Sequence, residues 1–278
     1  MPYFIRGNAR IYYEDIGRGD PVIMVHGLVE NTTYWSLLGI TGMLADTCRA
    51  IPIDMRGHGR TAVSGNPFGF DADTVGADII ALADHLKLGR FHLVSHSAGG
   101  FASVRQAMKD SSRFATLILT NTASATSTRS GDRDTIRAFY DKFARSIEDN
   151  TWDEVIANVK KYREPLFRGI VESEHPKELL RLFRQILELN DRTVIGAFVR
   201  SYFTDPDPRV DGLRGIGCPV LIIIGEKDDL FLQPSRLMAR EIPGARIIEY
   251  EGIGHITALE APGRLAADMI EFIKKHPV

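Results

Sequence analysis

Cysteine is scarce in this sequence and net charge is nearly absent, and both shortages exclude whole classes of function. Its 278 residues contain two cysteines, Cys48 and Cys218, far apart and without a C-x-x-C partner. That rules against a disulfide scaffold and predicts two buried or free thiols in a reducing compartment. With 34 basic and 36 acidic residues the net charge is -2, which leaves no electrostatic footprint for nucleic acid or for an anionic membrane surface. No run approaches the roughly 20 apolar residues of a spanning helix, and Met1 to Arg6 has no apolar signal stretch, so a cytoplasmic protein is expected. Phosphate loops are missing too. Gly17-Arg18-Gly19 lacks the buried strand before it and the helix after it that a dinucleotide fingerprint needs. His92 and His96 are four apart, but on a strand and turn rather than on a helix face, which disfavours metal ligation. No cofactor and no metal are expected.

What is present is a repeating pattern. Residues 3 to 6 and 9 to 15 alternate around Gly7-Asn8, a hairpin signal. Val22 to Val25 is a short, wholly apolar run, and similar ones recur at 50–53, 91–94, 115–119, 220–224 and 246–249. Such runs suit strands buried on both faces of a parallel sheet. Helical stretches separate them, at about 34–45, 73–87, 99–109, 234–241 and 259–275. The alternation predicts a doubly wound, mostly parallel α/β sheet, with ligands beyond the carboxyl ends of its strands.

One stretch interrupts the alternation. From about Ser124 to Pro208 apolar and charged residues mix at helical spacing, as in Ile136, Phe139, Tyr140 and Phe143. The reading is a core domain of residues 1–123 and 209–278, with a four-helix cap of residues 124–208 inserted at a strand's carboxyl end. A segment leaving the core there is placed to act as a lid and to set substrate choice.

The chemistry-bearing motif is Ser95-His96-Ser97-Ala98-Gly99-Gly100, which follows the apolar run Phe91 to Val94 and precedes a helical stretch. A serine at such a turn is raised on a strained backbone with its hydroxyl exposed, and small neighbours are needed around it. Ala98, Gly99 and Gly100 supply them, while Ser95 stands where Gly-x-Ser-x-Gly has its first glycine. His255 lies in a loop behind Gly252 and Gly254, where it can accept the serine's proton and return it to a leaving group. Three carboxylates, Glu226, Asp228 and Asp229, follow Gly225 at the end of another apolar run and compete for the role of the acid that orients the histidine.

With His26-Gly27-Leu28 after the first buried run, Asp54 to Arg60 after the next, and Gly252-Ile253-Gly254-His255 near the end, the chain resembles the α/β-hydrolase superfamily over nearly its whole length. The resemblance implies Ser97 as nucleophile and His255 as base. It places the acid three residues after Gly225, at Asp228, leaving Asp229 to cap the next segment or meet solvent. It also implies an oxyanion hole made by the backbone amides of Leu28 and Ala98. Related hydrolases sometimes carry the acid after the strand ending near Thr120, but Asn121-Thr122-Ala123 offers none.

Dehalogenases and epoxide hydrolases of this fold have aspartate where Ser97 stands. Carbon-carbon hydrolases usually have Asn before the nucleophile and Trp after the histidine, where this chain has His96 and Ile256. Prolyl aminopeptidases carry His-Gly-Gly-Pro, and cofactor-free haloperoxidases usually have Met at the position of Ala98. The remaining resemblance is to the carboxylesterase and enol-lactonase group, which implies a small to medium ester or lactone as substrate, in a monomer or homodimer. A carbon-carbon hydrolase, a lyase or a ligand-binding member of the fold are the alternatives. His96, Phe139, Phe143 and Phe198 are the candidates to line the substrate pocket, with Phe183 and Phe203 adding to an aromatic cap.

Overall fold

The computed structural model describes residues 2–65, 69–162 and 164–278. An antiparallel hairpin of β1 (Tyr3–Arg6) and β2 (Ala9–Tyr12) opens the chain, and β6 (Ala62–Val63) joins it as a third strand. The main sheet has seven strands. They are β3 (Ile16–Gly17), β4 (Pro21–Val25), β5 (Arg49–Ile53), β7 (Phe91–His96), β8 (Phe114–Thr120), β9 (Val220–Gly225) and β10 (Arg246–Tyr250). Their order across the sheet is β10-β9-β8-β7-β4-β5-β3, parallel throughout except for β3 against β5.

Every residue of β7, β8 and β9 is buried, as the continuous apolar runs predict for strands covered on both faces. The run at 246–249 behaves differently. As β10 it is the edge strand, and Ile247 and Ile248 are only half-buried.

The covering helices of the core are α1 (Thr33–Ser36), α2 (Ile40–Ala45), α3 (Ala72–His85) and α4 (Ser97–Lys109), followed by α10 (Val210–Arg214), α11 (Leu232–Glu241), α12 (Thr257–Glu260) and α13 (Pro262–Lys274). Two helices expected as single pieces are broken. The stretch 34–45 is interrupted at Gly39, whose φ of 82° is left-handed, so α2 starts anew there. The stretch 259–275 is cut by Pro262, which has no N–H to continue α12 and instead opens α13.

After β4 the chain crosses to β5 on one side, then returns to β7 on the other and proceeds outward to β10. The winding therefore reverses between β4 and β7, whose ends lie side by side with Val25 paired to Ser95. That is where an open α/β sheet forms its ligand crevice.

Between β8 and β9 the chain leaves the sheet for α5 (Arg133–Glu148), α6 (Trp152–Tyr162), a 3₁₀ turn at Pro165–Phe167, α7 (Arg168–Val171), α8 (Pro176–Leu187) and α9 (Arg192–Tyr202). Ile136, Tyr140, Ala144 and Ile147 form the buried seam of α5, which packs on α9. The excursion's two ends are stitched together: the amides of Thr126 and Ser127 both donate to the Asp205 carbonyl at 2.9 Å. Arg105 of α4 holds the Asp205 carboxylate at 2.8 Å. Cys48 and Cys218 are both buried and unpaired. Among the described residues no helix is long and apolar enough to cross a membrane.

Candidate active site

Ser97 is the first residue of α4, directly after β7, and has a φ of 46°. A non-glycine residue in the left-handed region carries roughly 1–3 kcal/mol of strain, so the surroundings must hold it there. Thr122 donates to the Ser97 carbonyl at 2.7 Å, and Tyr202 of α9 donates to the Ala98 carbonyl at 2.6 Å. Gly99 and Gly100 are required by space, since a Cβ on the first would strike the His26 carbonyl and on the second the Thr122 side chain. Ser95 faces inward, 2.6 Å from the Ser103 hydroxyl, which donates in turn to the Gly99 carbonyl at 2.9 Å. The missing glycine is thus replaced by a hydroxyl that pins the turn.

His255 reaches the serine from the loop after β10. Its Nε2 lies 3.0 Å from Ser97 Oγ, and its Nδ1 lies 2.7 Å from Asp228 Oδ2. The acid loop and the histidine loop touch along their backbones: Glu226 N–H donates to the Tyr250 carbonyl at 2.9 Å and Lys227 N–H to that of Ile253 at 2.8 Å. Phe231 stacks on the imidazole at 5.1 Å between centroids.

Asp228 is fully buried, and its carboxylate also accepts from Asn121 Nδ2 at 2.9 Å and Phe231 N–H at 3.3 Å. Burial alone pushes this carboxyl up, but the His255 charge and hydrogen bond, with those of Asn121 and Phe231, bring it below its ordinary value. Burial likewise opposes a charged His255, and the Asp228 carboxylate outweighs it, so the imidazole titrates above its ordinary value. Asp229 points elsewhere. It meets solvent, as expected, and there pairs with Arg168, whose Nη1 meets both its oxygens at 3.0 and 3.1 Å.

The Ala98 amide is a first-turn donor of α4 that no helical carbonyl reaches. Leu28 follows β4 across the reversal point, in a turn closed by Glu30, whose Oε2 accepts from Gly27 N–H at 2.6 Å. Glu30 is a buried carboxyl that sequence reading passed over. Its Oε1 lies 3.4 Å from His96 Nε2, and burial pushes its pKa up to about 8 against the Gly27 N–H and the charge of His255. Both Glu30 Oε2 and Ser97 Cβ lie within 3.0 Å of the point that a methyl on Gly27 would occupy.

A cavity of about 310 Å³ opens over Ser97 and His255. Leu28, Val29 and Ile256 form its floor, and Phe143, Trp152, Phe167 and Phe183 are among the apolar residues that form its walls from the helical excursion. Of the four expected pocket residues the structure brings only Phe143 here. Phe139, one turn earlier on α5, lies on the outer flank of the buried seam, 37% exposed beneath the Arg129 guanidinium. Phe198 is on the core-facing side of α9, wholly buried among His58, Phe70 and Tyr202. His96 is sealed behind the imidazole, stacked on Tyr34 at 4.6 Å and 4.9 Å from the His255 ring.

A serine hydroxyl hydrogen-bonded to a histidine, itself held by a buried carboxylate, can be deprotonated for attack on a carbonyl carbon. Among the described residues no cluster of His, Cys, Asp or Glu could hold a metal ion.

Residues 22–268 match the model of the alpha/beta hydrolase family. The chain is 26% identical, over 93% of its length, to the dihydrolipoyllysine-residue acetyltransferase component of an acetoin cleaving system from Pseudomonas putida, and spans 64% of that longer protein. It is 26% identical to a non-heme chloroperoxidase of Kitasatospora aureofaciens, covering 97% of this chain and 98% of the other. Among solved structures, a thermophilic esterase from Thermogutta terrifontis superposes with a TM-score of 0.79 at 26% identity, covering 97% of this chain and 95% of that one.

Proposed function

Since this chain belongs to the alpha/beta hydrolase family, we propose that it is a serine hydrolase that cleaves a small to medium carboxylic ester or lactone through an acyl-enzyme on Ser97. The observation that carries this reading is the contact of Ser97 Oγ with His255 Nε2 at 3.0 Å, at the floor of an apolar cavity. In the first half-reaction His255 takes the serine proton as Oγ adds to the substrate carbonyl. Negative charge on the carbonyl oxygen is met by the amides of Leu28 and Ala98. Collapse expels the alkoxide, which receives the proton from His255, and leaves the acyl group on Ser97. Water then repeats the sequence and releases the acid. Asp228 keeps the proton of neutral His255 on Nδ1 and stabilises the imidazolium that forms between steps.

The cavity walls favour an apolar acyl group or ring, with residues 124–208 as a lid over the pocket. Similarity to an esterase supports ester chemistry. Labelling with a fluorophosphonate, followed by a panel of esters and lactones, tests the reading. Ser97→Ala is expected to abolish the label and to lower kcat by about 10⁶ without unfolding the chain. Ser95→Ala is expected to be far milder. A parent protein that takes no label at Ser97, or a Ser97→Ala variant that still turns over, defeats the proposal.

A further inference from the structure

Asn190 belongs to the turn between α8 and α9, far in sequence from the loops around Ser97, yet its side chain reaches the crevice, with only a longer bond of 3.4 Å back to the Ile186 carbonyl. Nδ2 donates to the Val29 carbonyl at 2.7 Å, and Oδ1 accepts from Gly59 N–H at 2.8 Å. The residue is 6% exposed, and Trp152 Nε1 fixes its own carbonyl at 3.3 Å. Two residues beyond Val29, Asn31 Nδ2 reaches the carbonyl of Ile186 at the end of α8 at 2.6 Å.

Val29 has a φ of 58°. For a β-branched side chain that is a steric outlier, which persists only where surrounding groups enforce it. Two anchors enforce this one: the Glu30 carboxyl on Gly27 N–H before it, and the Asn190 amide on the Val29 carbonyl. Leu28 sits between them, and the Gly27 carbonyl of the same peptide accepts from His26 Nδ1 at 2.7 Å and from the Glu30 N–H at 3.4 Å, so Asn190 acts on the direction of the Leu28 N–H from the side these bonds leave open.

We propose that Asn190 is a positioning residue for the oxyanion site, its amide holding Val29 in the left-handed conformation and thereby aiming the Leu28 N–H at the acyl oxygen. The proposal rests on the serine-hydrolase reading. It links the helices that wall the cavity to stabilisation of the transition state, through one side chain that touches no substrate. A side chain that only docked those helices would move KM. One that aims a donor lowers kcat, because the acyl oxygen gains its charge only during reaction.

The test measures kcat and KM for p-nitrophenyl butyrate with Asn190→Ala, in the parent and in a Val29→Gly background. Complete loss of one oxyanion donor costs 10²- to 10³-fold; a misaimed donor is expected to lower kcat about tenfold, with KM within about threefold. Glycine adopts a positive φ without steric cost, so in the Val29→Gly background the same change is expected to lower kcat by less than about threefold. A kcat indifferent to Asn190→Ala, or a loss equally large in both backgrounds, overturns the proposal. Should Asn190→Ala fail to fold, Asn190→Asp, which keeps the acceptor for Gly59 and loses the donor to Val29, is judged by the same criteria. Ser97→Ala in parallel separates the failures. Hydrolysis that survives it sinks the serine reading, whereas hydrolysis lost with Ser97 and indifferent to Asn190 sinks only the role of Asn190.

Discussion

Asp228 and Asp229 are neighbours in sequence, and replacing each by asparagine is expected to give opposite results. Asp228 is fully buried with its carboxylate 2.7 Å from His255 Nδ1. In Asp228→Asn the amide oxygen can still accept one hydrogen bond, but the negative charge that offsets the imidazolium is gone. If the amide nitrogen takes that place, it forces the wrong tautomer. Such a loss typically lowers kcat about 10⁴-fold, equivalent to about 5 kcal/mol at 1.36 kcal/mol per factor of ten. Asp229 meets Arg168 at 3.0 Å where both side chains are near half exposed, at 53% and 43%. Exposed ion pairs contribute about 0.2–1 kcal/mol, so Asp229→Asn is expected to retain at least about a tenth of the parent activity. Both variants should give parent-like circular dichroism, which shows that turnover and not folding differs. Side-by-side kcat values on one activated ester decide, and the reverse ranking would move the orienting acid to Asp229.

The pH profile is expected to show two limbs. In the proposed mechanism neutral His255 is the base, and its pKa is raised above the ordinary value, so kcat/KM is expected to rise through and beyond pH 6.5; a flat profile from pH 5 to 8 with chemistry limiting counts against the assignment. Glu30, with a pKa of about 8, gains its charge beside Ser97 as pH rises further, in a nest that also holds His96, His255 and Tyr34. The rate is expected to fall again there, and Glu30→Gln, which still accepts from Gly27, to remove the fall; a descending limb unchanged by that substitution refutes the role. Phe143→Ala opens the cavity wall, and since a buried methylene is worth about 0.8 kcal/mol it is expected to shift the hexanoate-to-acetate ratio of kcat/KM by about tenfold. Phe139→Ala should leave that ratio within about twofold, and an equal shift from both would mean that the pocket wall has been misplaced.

The sheet was legible because strands buried on both faces carry continuous apolar stretches, such as Leu117 to Leu119 in β8 and Val220 to Ile224 in β9, even though β7 also buries His92, Ser95 and His96. The turn at Ser97 was legible because strain and close approach tolerate few residues, and Ala98, Gly99 and Gly100 are among them. The pocket was less so. Helical spacing marks the seam of α5 but not how far along its flank the cavity extends: Phe139 and Phe143, one turn apart on the same flank, lie beneath Arg129 and in the cavity wall respectively. Gly39 was hidden inside the apolar run of Leu37, Leu38 and Ile40, so the break before α2 left little periodic trace. Glu30 and Asn190 left no signal, since a carboxylate four residues after His26 and an asparagine in a helical turn are both ordinary at a surface. Only the tertiary fold turns them inward.

The hydrogen bond from Asn121 to Asp228 joins the ends of β8 and β9 at 2.9 Å, the two positions that the resemblance to this fold allows for an orienting acid. Asn121 is itself anchored, by the Gly254 carbonyl at 3.1 Å and by the Thr257 hydroxyl. This proximity shapes how the acid could move from one strand to the other during descent. Asn121→Asp alone would set two carboxylates against each other, and one would have to take up a proton. Asp228→Asn alone would leave neither position charged. Exchanging both residues keeps one carboxylate and one amide in contact, with the donor and acceptor reversed. Of the two single changes, Asn121→Asp is expected to be the less damaging, since in the protonated pair of carboxyls a charge can still face the histidine, and side-by-side kcat values for the two single variants and the exchanged pair would check it.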